Sequence, residues 1–251
     1  GEVRTLSTPV NVDGDAGFAG VGVDLGEVPG LATSDVLTVG GTVGIASSAN
    51  ATVVTDGDLR LGTVEFPGAT NIDTDVTDNL EAGSATGDIL DNAGDDIDVG
   101  GTASFVAMSG DIVLDNGFDV SGAATGLNVV GTIAFETMGD AILTDQSIFE
   151  FGDISGILDA AGTGSSTGND LAISSGDGGI IDGLVTIVIA GNVALQALDN
   201  GDGGNDDINL TTLSLTDSAA VVTLRIPNAN AVASNARFVK ADGNLQLGNF
   251  T

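Results

Sequence analysis

A short pattern recurs about every 30 residues, and this repeat restricts the fold more than any other feature of the chain. Each copy reads apolar, any residue, apolar, small or apolar, glycine, and then threonine or asparagine. The last glycine falls at positions 41, 101, 131, 162 and 191, as though one copy near residue 71 had decayed. Repeats of this length belong to stacked architectures, in which each unit packs against the next. The five copies are Leu37–Thr42, Ile97–Thr102, Leu127–Thr132, Leu158–Thr163 and Ile187–Asn192.

The second and third copies share more than this pattern. Phe105 and Phe135 keep the 30-residue step, and so do Met108 and Met138. Each of the two copies is followed by a second strand-like segment that begins with Gly-Asp. A unit of about 30 residues with two or three short strands fits one coil of a parallel β-helix, where equivalent residues of successive coils stack in line. We therefore predict an all-β parallel β-helix (solenoid) with interior ladders of phenylalanine and of methionine.

Asp-Gly pairs favour a different all-β fold. Asp56-Gly57 follows Val53-Val54, and Asp242-Gly243 lies between two apolar segments. Such pairs are typical of β-hairpins, which build antiparallel sheets. An antiparallel β-sandwich or jelly roll is therefore the alternative prediction.

The repeat divides the chain into three parts. Residues 33–220 are the predicted repeat-built β domain. Residues 1–32 lack the period and are predicted to form an N-terminal cap or an assembly arm. Residues 221–251 are predicted to form a C-terminal β cap, with a hairpin as one form of it. Solenoid ends need covers against uncontrolled edge pairing, whereas a protein that polymerises leaves its ends open.

Charge and composition exclude several classes of function. The chain has 36 Asp and Glu against 5 Lys and Arg, for a net charge of −31. Such a surface repels phosphate backbones and anionic lipid, and no uncharged apolar run is long enough to span a bilayer. We expect neither a nucleic-acid partner nor membrane insertion. The 39 glycines and abundant Val, Ile and Thr indicate short strands joined by tight turns, with little helix.

The same composition bears on where the protein is found. There is no cysteine, so neither a disulfide framework nor a thiolate metal site can form. The first residues show no basic segment followed by an apolar core. Because a strongly acidic, lysine-poor β protein suits an exposed setting, we expect an extracellular or cell-surface protein whose signal peptide has been removed.

Segments 99–105 and 110–114 together resemble the repeats of bacterial surface proteins of the filamentous-haemagglutinin and autotransporter-passenger kind. Segment 242–249 is similar to an autotransporter-passenger repeat, so that the resemblance extends over about residues 36–250. It implies a right-handed parallel β-helix, export to the cell surface, and a role in adhesion or as a stalk or filament. The chain is short for these families and has no recognisable translocator domain. The family repeats are scaffold positions, so no functional residue is carried over.

The residue types that usually carry catalysis are nearly absent. There is no His, Cys or Tyr, which excludes Ser-His-Asp and Cys-His arrangements. Adjacent acids exist, but neighbours in a strand point to opposite faces and make a poor carboxylate pair. The only candidates for the basic group of a polysaccharide lyase are Arg60, Arg225, Arg237 and Lys240. We therefore predict that the protein is not an enzyme.

The best candidate site is the acidic turn at 199–208. From Gly201 onward it fits the calcium β-roll template at every specified position except the second, where Asp202 replaces glycine. Carboxylate and carbonyl oxygens on a flexible turn suit Ca²⁺. β-Roll sites are normally built by consecutive copies, and this copy is single, so a solvated acidic turn is the other interpretation. Weaker versions occur at 13–15 and 91–95. The candidate Ca²⁺ ligands are Asp199, Asp202, Asn205, Asp206 and Asp207.

Two functions are compatible with these features. The first is an extracellular structural protein, a self-assembling subunit of a surface filament, matrix or stalk, whose partner is a further copy of itself. The alternative is an adhesin that recognises a glycan or another cell surface, with Ca²⁺ as a cofactor. Sugar-binding sites favour aromatic platforms, and the absence of Trp and Tyr favours the structural function.

Overall fold

The computed structural model consists of short β-strands joined almost entirely by parallel pairing, and its described residues contain no helix. Within the described residues, the strands form two long sheets, one of 14 strands and one of 13. The predicted all-β parallel solenoid is confirmed. The residues that the structure describes are 1–4, 10–26, 37–92, 94–115, 126–154, 164–176, 179–198, 207–217, 219–225, 236–240 and 246–247.

The strands stack in three rows, and most coils contribute one strand to each row. The first row consists of β1 (Val3–Arg4), β4 (Val23–Leu25), β7 (Ala51–Thr55), β10 (Leu80–Ser84), β13 (Ala103–Ala107), β16 (Ile133–Thr137), β19 (Ser165–Thr167), β22 (Ile187–Ile189) and the C-terminal half of β24 (Ile208–Leu215). The second row consists of β8 (Leu59–Leu61), β11 (Ile89–Asp91), β14 (Ile112–Leu114), β17 (Ala141–Asp145), β20 (Leu171–Ser175), β23 (Val193–Ala197), β25 (Val221–Arg225) and β27 (Gln246–Leu247).

The third row lies in two parts, one in each sheet. The first part consists of β9 (Thr74–Val76), β12 (Asp96–Val99) and β15 (Gly126–Val129). The second part consists of β18 (Phe149–Glu150), β21 (Ile180–Ile181), the N-terminal half of β24, and β26 (Ala236–Lys240). From β7 to β24 the chain therefore passes through the first, second and third rows in turn.

The N-terminal strands join the same stack. β2 (Val10–Val12) pairs with β5 (Leu37–Val39), and β3 (Ala16–Gly20) pairs with β6 (Thr42–Ser47). β6 pairs through its start with β8 and through its end with β9. Parallel pairing thus extends into both terminal parts of the chain, since β25, β26 and β27 are also parallel to their partners. The domain boundaries at residues 32 and 220 stay a prediction.

Aromatic side chains fill the interior at the middle of the solenoid. Phe105 and Phe135 are register partners in the first row, and both are fully buried. Phe149 and Phe151 continue the aromatic core, with ring centroids 5.8 Å apart between Phe135 and Phe151 and 5.0 Å between Phe149 and Phe151. Tilted and edge-to-face contacts of this kind stabilise beyond simple burial. The predicted phenylalanine ladder is confirmed.

The predicted interior methionine ladder is wrong. Met108 is 39% exposed and Met138 is 70% exposed. The reason is the two-residue alternation of a strand: a residue three positions after an inward phenylalanine points outward. Both methionines follow the last residue of their strand and lie on the surface of the corner between the first and second rows.

The coil length is not constant at 30 residues. Equivalent residues of successive coils, followed along the second row from Asp58, are separated by 30, 23, 29, 30 and 22 residues. The variation is absorbed at the corners, where residues can be added without breaking a ladder. The corner between β8 and β9, residues 62–73, is longer than the corner between β11 and β12.

Because the coils differ in length, the copies of the repeat do not all lie in the same row of strands. Ile97 and Leu127 are register partners in the third row, as the pattern predicts. Thr74 occupies the preceding place, so the position equivalent to Gly101 is Asp78 and does not lie near residue 71. Ile187, however, lies in the first row opposite Ser165. The copy at Leu37 pairs with the end of β7, and the copy at 158–163 lies outside the described residues. The motif encodes a short strand whose side chains point inward, outward and inward, followed by a glycine turn. Such a strand can lie in any of the three rows, so the motif does not determine the row.

The antiparallel alternative is wrong. Asp56-Gly57 joins β7 to β8, which belong to different rows and do not pair with each other. Asp242-Gly243 lies outside the described residues, but the strands that flank it, β26 and β27, pair in parallel with β24 and β25. Within the described part of the chain, antiparallel pairing is limited to a bridge between Val64 and Ile72. At Asp56-Gly57 the Asp-Gly signal marks a solenoid corner instead of a hairpin.

Candidate functional site

The corner between the first and second rows carries the most regular polar feature of the molecule. In the six successive coils from β8 to β23, an Asp, or once an Asn, immediately precedes the second-row strand. These residues stack one above the other along the solenoid, and we call them the acidic ladder. Its members are Asp58, Asp88, Asp111, Asp140, Asp170 and Asn192.

Each side chain of the acidic ladder binds the backbone of the next coil. Oδ1 accepts a hydrogen bond from the N–H of the following ladder residue, and the successive N···O distances are 3.0, 2.8, 2.8, 3.0 and 2.7 Å. Oδ1 of Asn192 continues the series by accepting from the N–H of Val221 at 3.0 Å. Hydrogen bonds that involve a charged acceptor are stronger than neutral ones, so the ladder ties each coil to the next.

Glycine precedes most ladder residues because there is no room for a side chain. A Cβ atom on Gly87, Gly110 or Gly139 would lie 2.0 to 2.3 Å from the carboxylate oxygen of the coil below. The Gly-Asp pairs that precede the strands therefore follow from the stacking itself. The glycine permits close approach, and the aspartate supplies the hydrogen bond between coils.

Buried hydroxyl groups stabilise the same corner by hydrogen bonds on its interior side. Thr55 and Ser84 are fully buried, and each donates its hydroxyl to the carbonyl of Gly57 at 2.8 Å. Thr167 is also buried and donates to the carbonyl of Asn169 at 2.9 Å. These hydroxyls satisfy carbonyl groups that the turn removes from the strand ladders. The corner is thus fixed on both its outer and inner sides.

The predicted calcium turn lies almost wholly outside the described residues. Asp199, Asp202, Asn205 and Asp206 fall there, so their role as ligands stays a prediction. Asp207 is described, and its carbonyl oxygen accepts the N–H of Ile180 at 2.9 Å. Within the described ranges, no group of three or more acidic residues has a geometry that could hold a metal ion.

The two weaker acidic turns contain side chains with structural partners. Oδ1 of Asp15 accepts the N–H of Thr42 at 2.8 Å, and Oδ2 of Asp95 accepts the N–H of Thr63 at 2.8 Å. Both carboxylates therefore accept a hydrogen bond from the backbone of a neighbouring coil, as the residues of the acidic ladder do.

Two further acids are buried and have shifted pKa values. Burial raises the pKa of Asp145 to about 6, against the opposing effect of hydrogen bonds from Val129 and Ser147. Burial also disfavours the charged form of Asp182, but hydrogen bonds from Thr211 and neighbouring groups outweigh it and lower the pKa. Both acids lie at corners and serve the packing of coils.

The basic candidates for catalysis are not brought together. Arg60 lies on β8 and Arg225 lies on β25, near opposite ends of the second row, whereas Arg237 and Lys240 belong to β26 in the third row. The Arg60 guanidinium donates to the carbonyl of Asp91 at 3.4 Å, and that of Arg225 donates to Gln196 at 3.2 Å. The absence of catalysis stays a prediction.

Fold and ladder together define an acidic parallel β-solenoid. Comparison with protein-family models, with curated proteins and with solved structures finds no match to this chain. None of the described segments forms a helix long and apolar enough to cross a membrane. The resemblance to filamentous haemagglutinin and autotransporter passengers stays an expectation from short motifs.

Sequence reasoning missed the acidic ladder as a unit. Its signal was present, because Gly-Asp begins several of the strand-like segments. The unequal spacing of the aspartates hid their alignment.

Proposed function

We propose that this protein is an extracellular structural protein, a subunit that joins copies of itself end to end into a surface filament, matrix or stalk. The observation that carries the proposal is the pairing of the end strands. Among the described strands, β3 pairs with β6 alone and β26 pairs with β24 alone, at opposite ends of the stack. A strand with one open edge is a template for a further strand.

The geometry of the ends suits stacking of identical subunits. The named strands run parallel in every pairing, so the last coil of one copy presents the same strand direction as the first coil of the next. Parallel β-sheet addition of this kind uses backbone hydrogen bonds, which need no specific side chain. The carboxylates of the acidic ladder on the surface, together with the buried hydroxyl and phenylalanine groups, make each subunit a rigid spacer.

The net charge of −31 opposes association and sets its conditions. Repulsion between two such subunits extends about 8 Å at physiological ionic strength and shortens as salt is added. We therefore expect assembly to increase with salt concentration. The same charge keeps single subunits soluble at low salt.

A proline substitution on the open edge tests the proposal. The carbonyl of Gly20 accepts the N–H of Ser48 at 3.2 Å, so Gly20 directs its peptide groups toward β6. Peptide groups alternate in direction along a strand, and the exposed Ala19 therefore directs its N–H toward the open side. Ala19→Pro removes that donor and leaves the ladder with β6 intact. Ala19→Val keeps the N–H and is the matched control.

Sedimentation velocity at raised salt gives the readout. We expect large assemblies for the wild type and for Ala19→Val, and single subunits with an unchanged unfolding midpoint for Ala19→Pro. Asn11→Pro is a second variant, because the carbonyl of Val12 accepts the N–H of Gly40 at 2.8 Å and Asn11 faces the open side. A wild type that stays monomeric at every salt concentration would refute the proposal. A monomer that also binds a glycan array would favour the adhesin instead.

A further inference from the structure

An apolar groove runs along the outer face of the second row. Its described lining includes Ile142, Leu171, Ala172, Val193 and Ala194. The groove follows the stacking direction, because Ile142, Ala172 and Ala194 are register partners on successive coils. The outward residues of the two coils before them, Leu90 and Val113, continue the same apolar line.

One edge of this groove is acidic. Asp140, Asp170 and Asn192 of the acidic ladder belong to its lining. Each stands two residues before an outward apolar residue and therefore on the same face of the sheet. Oδ1 of Asp140 accepts the N–H of Asp170, while Oδ2 of Asp140 accepts no hydrogen bond within the described part of the chain. Both carboxylate oxygens of Asp170 accept from the side-chain amide of Asn192 at 3.2 Å. Over the four successive coils from β11 to β20, an apolar line and a line of carboxylates thus run side by side with one member of each per coil.

Charge complementarity decides between the possible occupants. A second copy of this chain would bring further negative charge against the carboxylate edge. A peptide laid along the apolar line would bury backbone N–H and C=O groups without partners, which costs several kcal/mol for each group. A chain of methylene groups that carries ammonium ions has neither defect.

We infer that this groove binds linear aliphatic polyamines, with the methylene chain on the apolar line and the ammonium groups on the acidic ladder. Adjacent coils lie about 4.8 Å apart, so carboxylates recur at that interval. The short methylene spacers of polyamines place successive ammonium groups at a similar interval. Ammonium ions also suit partly exposed carboxylates, since the pairing leaves both groups in contact with water.

Arg60 supplies an internal precedent for this chemistry. It takes the place of the apolar residue in the first coil of the line, opposite Leu90. Its side chain reaches the next coil and donates to the carbonyl of Asp91 at 3.4 Å. A cation on an aliphatic stem therefore already lies along this row.

Titration calorimetry with spermine, at low and at physiological salt, tests the inference on the full chain. The variant Asp140→Asn/Asp170→Asn removes two charges, and Asn192 shows that asparagine fits the ladder and keeps its hydrogen bond. We expect about tenfold weaker binding, because two partly exposed ion pairs are lost and each such pair contributes little. Ile142→Ser is expected to weaken binding while the charge is unchanged.

The matched control is Asp75→Asn/Asp78→Asn, which removes two exposed charges from the third row and its corner. We expect it to leave spermine binding nearly unchanged. Equal weakening by both double variants, or equal displacement of spermine by Mg²⁺ at matched charge, would show counterion binding to a polyanion and would overturn the inference. Absence of any spermine binding by the wild type would overturn it as well.

Discussion

Asp145 offers a quantitative test of how the coils are packed. The carboxyl group has no exposed surface, and burial raises its pKa to about 6 from the ordinary 3.8. The folded state therefore holds this proton more tightly than the unfolded chain does. Between about pH 4 and pH 6 the unfolded chain releases the proton first, so this residue lowers the free energy of unfolding as pH rises. The difference between the two pKa values corresponds to about 3 kcal/mol.

Asp145→Asn removes this titration and keeps the local hydrogen bonds. Oδ1 still accepts the N–H of Val129, which lies at 3.2 Å, and the new amide can donate to the hydroxyl of Ser147. In the variant that hydroxyl directs its proton to the carbonyl of Val129, which lies at 3.1 Å. We expect the stability of the variant relative to wild type to increase by up to about 3 kcal/mol between pH 4 and pH 8.

Urea unfolding followed by circular dichroism at several pH values measures this difference. Asp13→Asn removes a charge from an exposed position and serves as the control, for which we expect no comparable change with pH. A stability difference between Asp145→Asn and wild type that is the same at pH 4 and pH 8 would refute the reasoning. So would a variant that becomes less stable, relative to wild type, as pH rises.

Five further substitutions test the assignment of inside, corner and surface. Phe135→Ala should lower the free energy of unfolding by about 3–5 kcal/mol in urea titrations, whereas Met138→Ala should change it by less than about 0.5 kcal/mol. Gly139→Ala places a Cβ atom 2.0 Å from a carboxylate oxygen and should cost about 1–3 kcal/mol, while Gly57→Ala, where no atom lies within 4 Å, should be nearly neutral. Asp182→Ala should destabilise the protein at neutral pH, and because the pKa of Asp182 is lowered, the difference from wild type should shrink as pH falls below about 4. Equal effects within either matched pair, or a pH-independent effect of Asp182→Ala, would contradict these assignments.

The fold was predictable because stacking leaves a periodic trace. Phe105 and Phe135 occupy equivalent places in neighbouring coils of equal length, so their spacing in the sequence equals one coil. The methionines kept the same spacing but lie on the surface, because spacing between coils does not reveal which face of a strand a residue occupies. The alternation of inward and outward side chains within each strand reveals the face, and it places Met108 on the surface.

The site was less predictable because its spacing varies. The residues of the acidic ladder are separated by intervals from 22 to 30 residues, so no single period aligns them. Coil length depends on how many residues each corner holds, and corners tolerate additions at little energetic cost. The Gly-Asp pair is the better signal of the ladder. The glycine is required for close contact between coils, and the carboxylate is required to accept a hydrogen bond from the backbone of the next coil.

Electron microscopy combined with fibre diffraction of the protein at raised salt tests the central claim of end-to-end assembly most directly. We predict unbranched filaments one solenoid wide, with a reflection at about 4.8 Å along the filament axis, since the strands would stack along that axis through subunit after subunit. Single particles at every salt concentration would contradict the claim. Filaments whose 4.8 Å reflection lies across the axis would contradict it too.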